Sequence, residues 1–151
     1  MSSTNIEISA IDSLKHVDAA QWDSLNVAGD PFLSHAFLVG LEIHDCLSPQ
    51  GWYPIHLLAR RGTSLVAAMP MYLKDNSYGE FVFDWAWADA YERAGGRYYP
   101  KLVSAIPFTP ATGQRLLYDN DTNLSELLPA MIDAVKQLME SNKASSFHCL
   151  F

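Results

Sequence analysis

The sequence predicts an α/β (α+β) layer fold, with a mainly antiparallel mixed sheet flanked by helices. Three observations carry that expectation. Apolar residues alternate with period two through the middle of the chain, whereas Leu124, Leu127, Leu128, Met131, Val135 and Leu138 recur at helical spacing. The connectors at 61–63 and 75–78 are of hairpin length and cannot hold a crossover helix, so the strands they join run antiparallel. The 151 residues, 49% hydrophobic and 18% charged, suit one domain, 1–151, able to bury roughly 70% of its unfolded surface.

Taken in order, Ile6–Ile11 alternates and reads as a short strand. Asp18 opens a helix through Trp22 and Leu25, because its carboxylate can accept from first-turn N–H groups. Gly29-Asp30-Pro31 breaks the chain, and Ser34 caps the next helix, in which Phe37, Leu38, Leu41 and Cys46 recur. Residues 53–60 and 65–74 read as two arms of a hairpin. Pro54 and Pro70 inside those arms call for bulges or edge positions. Residues 79–85 read as a third antiparallel strand, which completes a meander. Trp87–Ala94 reads as a helix closed by Gly95 and Gly96, since glycine tolerates the left-handed position after a helix. Strands are expected at 102–106 and 114–119, a helix from Leu124 with Pro129 in its first turn or at a kink, and a last strand at 147–151. The chain ends inside that apolar strand. A terminal carboxylate prefers water, so the ending reads as the N-terminal portion of a longer protein. Its seam of Phe147, Leu150 and Phe151 is expected to promote self-association.

Composition narrows the function classes. A net charge of −7 denies the chain a strong phosphate-neutralising surface, so autonomous nucleic-acid binding is not expected. No apolar run reaches the 18 or so residues of a membrane span, and the polar Met1–Asn5 leads into no export signal. Cys46 and Cys149 lack CxxC spacing and read as free buried thiols in a reducing cytoplasm, and the five histidines show no metal-ligand spacing.

The densest group of chemistry-bearing residues is Asp84, Trp85, Trp87, Asp89, Tyr91, Glu92 and Arg93, followed by Tyr98 and Tyr99. Rings that stack on sugar C–H faces, beside acids that accept hydroxyl protons, are what saccharide recognition requires. The competing reading packs both tryptophans in the core and leaves the charges on a solvated helix face. Arg115, after the loop Thr109–Gly113, is a candidate anion contact or the partner of an acidic neighbour. Ser34-His35 and His148-Cys149 are adjacent pairs whose side chains diverge, so neither builds a nucleophile–base pair.

The stretches PFLSHAFLVGL (31–41), AMPMYLK (68–74), SYGEFVFDWAWADAYER (77–93) and YYPKLVSAIPFTPATG (98–113) resemble the FemAB-like, peptidoglycan biosynthesis or recognition branch of the GNAT acyltransferase superfamily. The resemblance runs from about Trp22 to Phe151 and corresponds to the N-terminal half of such proteins. It implies a GNAT-like fold and transfer of an acyl or aminoacyl group onto an amine, with a small-molecule or muropeptide-like substrate. For the full-length protein it implies an acyl-CoA or aminoacyl-tRNA donor. No cofactor is expected in these residues, because Arg93-Ala94-Gly95-Gly96-Arg97 departs from the pyrophosphate-binding turn of CoA-dependent members and follows a helix instead of preceding one. The substrate-binding set expected here is Asp84, Trp85, Trp87, Asp89, Tyr91, Glu92, Tyr98 and Arg115, with no catalytic residue assigned.

Overall fold

The alternating residues Ile6–Ile11 form β1, which runs antiparallel to the strand beginning at His56. The computed structural model describes residues 5–151, so the polar start at Met1–Thr4 lies outside the described residues. Asp18 and Ser34 cap α1 (Ala19–Leu25) and α2 (His35–Ile43). Their side-chain oxygens accept from the Gln21 and Phe37 N–H groups, which have no partner within a first turn. Cys46 falls past the end of α2. It is half-buried and Cys149 is exposed, so both thiols are free but neither is the buried small hydrophobe that the sequence predicts.

The hairpin forms, but each arm is broken in two. Residues 53–60 divide into β2 (Trp52–Pro54) and β3 (His56–Arg61), and 65–74 into β4 (Ser64–Met69) and β5 (Tyr72–Lys74). The breaks fall at Pro54-Ile55 and Pro70-Met71, where a residue without a donor costs the ladder least. Both amides at the bend are bonded: Ile55 N–H donates to the Met71 carbonyl (2.9 Å) and Met71 N–H to His56 Nδ1 (3.1 Å). The remaining elements are α3 (Trp85–Arg93), β6 (Lys101–Ser104), β7 (Leu117–Tyr118), α4 (Leu124–Asn142) and β8 (Phe147–Cys149). Two four-stranded sheets result, ordered β1-β3-β4-β7 and β2-β5-β6-β8; every pairing is antiparallel except β6 with β8. With helices packed on these sheets, the fold is α+β and consistent with the GNAT-like layers expected.

The expected third strand at 79–85 is absent. Gly79 and Phe81 take left-handed φ angles of 78° and 58°, which interrupt any ladder, and α3 begins at Trp85. Its place beside β5 is taken by β6. The strand expected at 114–119 shortens to β7, and Pro129 sits inside α4.

Alternation along β3, and along β4 on either side of a bulge at Val66, then sorts the core. Leu58, Leu65 and Ala68 face Trp22, Leu25, Leu33 and Leu38 of the first two helices and their connection. Leu57, Ala59, Val66 and Met69 face Leu127, Met131 and Val135 of α4. A third cluster, Leu47, Trp52, Tyr72, Val103 and Ala105, fills the second sheet. Leu124, Leu128 and Ile132, the flank of the α4 stripe, stay exposed. Of the terminal seam, Phe147 and Leu150 are half-buried and Phe151 is exposed.

Gly79 fixes the turn that carries the residues described next. A Cβ there would lie 2.6 Å from the Phe108 ring, on a backbone that side chains rarely adopt. Gly79→Ala is expected to cost about 1–3 kcal/mol in urea denaturation. Gly62→Ala shares the positive φ but meets nothing within 4 Å, and is expected to cost clearly less.

Candidate functional site

Strand β6 begins at a lysine whose surroundings are apolar on both sides of the sequence, and the fold buries it completely. Lys101 Nζ donates to Glu80 Oε2 (2.8 Å), Asp84 Oδ2 (2.6 Å) and Ser77 Oγ (3.0 Å), which uses all three ammonium donors. Tyr98 OH donates to the same Asp84 oxygen at 2.5 Å, and Ser77 Oγ bonds Tyr99 OH at 2.7 Å. The two tyrosine rings stand 5.5 and 5.8 Å from the ammonium. The cluster therefore joins the loop before α3, the helix N-terminus and the start of β6.

Two carboxylates share this one cation. Burial pushes the Asp84 carboxyl up, but hydrogen bonds from Lys101 and Tyr98 outweigh it and hold the pKa at about 2. For Glu80 burial wins against Lys101, and its pKa is raised. Asp84 is thus the firmly ionised partner, and Glu80 the one closer to taking a proton. Burial, joined by Asp84, also pushes the Tyr98 phenol up. Glu80 Oε1 and Asp84 Oδ1 are buried with no protein partner, leaving two acceptor positions open to a further donor.

Next to the cluster, Lys74 holds the loop. Its Nζ donates to the Tyr78 carbonyl (2.9 Å), lies 4.1 Å over the Trp52 ring, and has its pKa lowered to about 8 by burial. Trp52 Nε1 donates to the same carbonyl at 3.1 Å. At the bend between the sheets, His56 accepts from Met71 at Nδ1, so Nε2 carries the proton and donates to Glu42 at 2.9 Å. Burial raises the Glu42 carboxyl, but bonds from His56, Ser13 and the Leu14 N–H bring it below its ordinary value.

The structure separates the residues singled out from the sequence. Asp84 and Tyr98 are in the buried cluster. Trp85, Trp87 and Tyr91 are 48%, 75% and 47% exposed, so the core-packing reading of the two tryptophans is overturned. Helical spacing places Trp87 and Tyr91 on one face of α3, and Trp85 and Asp89 on another. Tyr91 lies over Gly96, where a Cβ would clash with its ring, and meets Tyr98 edge-on at 6.1 Å. Asp89 forms an exposed ion pair with Arg93, and Glu92 is exposed. Arg115 is not part of this group. It is buried and donates to the carbonyls of Ala111, Gln114 and Leu150.

Sequence reasoning missed Lys101, Glu80 and Ser77. The one local signal is a lysine directly before the apolar run Leu102-Val103 in a strand. Its partners stand 17 to 24 positions earlier, beyond the reach of any periodicity.

Among the described residues no group of three or more His, Cys, Asp or Glu could hold a metal ion, and no helix is long and apolar enough to cross a membrane. No curated protein matches the chain. The profile of the FemAB-like family, described as peptidoglycan biosynthesis/recognition, matches residues 13–151, and the chain belongs to that family.

Proposed function

We propose that this chain recognises a muropeptide-like acceptor for transfer of an acyl or aminoacyl group onto an amine, with the acyl-CoA or aminoacyl-tRNA donor held outside these residues. The observation that carries this reading is the α3 rim. Trp87 and Tyr91 present exposed rings on one face, Glu92 is exposed on the adjoining face with Asp89, and Tyr91 is backed by Tyr98 of the lysine cluster. Rings supply stacking area while carboxylates orient hydroxyl or amine groups, so the two types serve at one rim. Asp84 and Tyr98 act from beneath by fixing the start of α3.

A second reading, a recognition module without catalysis, is favoured by the sealing of Lys101, Glu80 and Asp84 at 0–8% side-chain exposure. Titration of tryptophan fluorescence with a soluble muropeptide separates the outcomes. Saturable quenching is expected, weakened about tenfold by Trp87→Ala and less by Asp89→Ala, because one stacked ring is worth about 1–2 kcal/mol. A flat titration in folded protein overturns the recognition reading. Turnover when donor is added excludes the module, whereas binding without turnover fits both readings.

A further inference from the structure

We propose that the loop–helix junction Tyr78–Trp85 docks onto the interfacial region of a zwitterionic lipid bilayer. In this stretch the usual arrangement of side chains is inverted. Tyr78, Phe81, Phe83 and Trp85 are 63%, 52%, 75% and 48% exposed, and the rings of Tyr78 and Phe83 stand 6.2 and 5.5 Å from that of Trp85. The charged residues between them, Glu80 and Asp84, point the other way and are met by Lys101. The outward surface from Tyr78 to Trp85 is therefore aromatic and free of charge.

The backbone presents this surface firmly. The Tyr78 carbonyl accepts from Lys74 and Trp52, and the Gly79 carbonyl from the Phe108 N–H at 3.0 Å. Little ordering is then left to do on docking. Tryptophan and tyrosine rings, apolar with one polar atom, favour the headgroup level of a bilayer. Four partly exposed rings on one loop offer less than the ~800 Å² that a stable protein interface buries per partner. The two carboxylates within this stretch, Glu80 and Asp84, are turned inward and are not offered to a saccharide hydroxyl. The chain's net charge of −7 disfavours an anionic membrane and commits the surface to a zwitterionic one. The inference is independent of the saccharide reading, which uses Trp87 and Tyr91 on another face of α3.

The test is flotation of the protein with phosphatidylcholine vesicles, read beside tryptophan quenching by brominated phosphatidylcholine. Partition is expected, with little change between low and high salt, and with weakening when phosphatidylserine is mixed in. The double variant Phe83→Ser/Trp85→Ser is expected to lose at least about tenfold in partition, because two aromatic insertions are removed. Phe81→Ser, a milder single change, is expected to lose less. Ile43→Ser, equally exposed on α2, is expected to leave partition unaltered, and circular dichroism checks that each variant is folded. Absence of partition overturns the proposal. So does binding that strengthens with anionic lipid, or a folded double variant that still partitions. Failure of the muropeptide titration leaves these outcomes unaffected.

Discussion

Replacing Lys101 by methionine is expected to destabilise the protein by about 3–5 kcal/mol, the cost of removing one partner from a buried ionic cluster. Methionine has a similar volume, so the loss is not one of packing. It leaves Glu80 and Asp84 facing each other without their cation, in a place where Glu80 Oε1 and Asp84 Oδ1 already have no partner. The midpoint of urea denaturation, with m unchanged, measures the effect; a loss below about 1 kcal/mol contradicts the account. The same physics predicts rescue. Combining Lys101→Met with Glu80→Gln and Asp84→Asn removes the uncompensated charges and is expected to recover most of the stability, since neutral replacement of a whole buried ionic set is often tolerated.

The second large effect is a loss of stability in acid that runs through Asp84. Its carboxyl titrates at about 2 in the folded protein against an ordinary 3.8, so its contribution is present above pH 3.8 and disappears as pH falls to about 2. That difference corresponds to about 2 kcal/mol. Glu80 works in the opposite sense. Burial raises its folded pKa, so above about 4.5 ionising it takes stability away as pH rises. These two groups are therefore expected to make the curve climb from pH 2 to 4 and then decline above about 4.5 as Glu80 ionises. Asp84→Asn keeps an acceptor for Lys101 but has no proton to gain, so the difference between wild type and variant is expected to shrink by about 2 kcal/mol over pH 4 to 2. Thermal unfolding across that range tests it. A variant whose acid limb parallels the wild type shows that other carboxylates, Glu42 among them, set the slope.

Much of the fold was legible because its signals are local. Asp18 and Ser34 cap the helices that their side chains announce, Gly62-Thr63 turns the hairpin, and Gly95 closes α3 in a left-handed conformation. Each depends on bonds within a few residues, which the order of amino acids specifies. The α4 stripe was legible in period but not in breadth: Leu127, Met131 and Val135 found partners on the sheet, whereas Leu124 and Leu128 stayed exposed. Period gives the direction of an apolar face, and only the neighbouring layer decides how much of it is covered.

The family resemblance was likewise carried by the strings at 31–41, 68–74, 77–93 and 98–113, and the family match spans them. The candidate site was read only in part. Density alone picked out Asp84, Trp85, Trp87 and Tyr91, yet the sequence treated them as one rim. The tertiary structure divided them, because α3 begins at Trp85 and turns neighbouring rings to different faces. It also decided what no local pattern encodes. Two prolines, each awkward in a strand, fall two positions out of register across the hairpin, Pro54 opposite Tyr72, and each marks the point where its arm passes from one sheet to the next. A lysine 17 residues past Asp84 is brought beneath the loop and turns Glu80 and Asp84 inward, which leaves the aromatic rings between them to face solvent. A buried charge is placed by whichever partners the fold brings to it, and those partners lie at sequence separations where amino-acid order alone carries no geometric information.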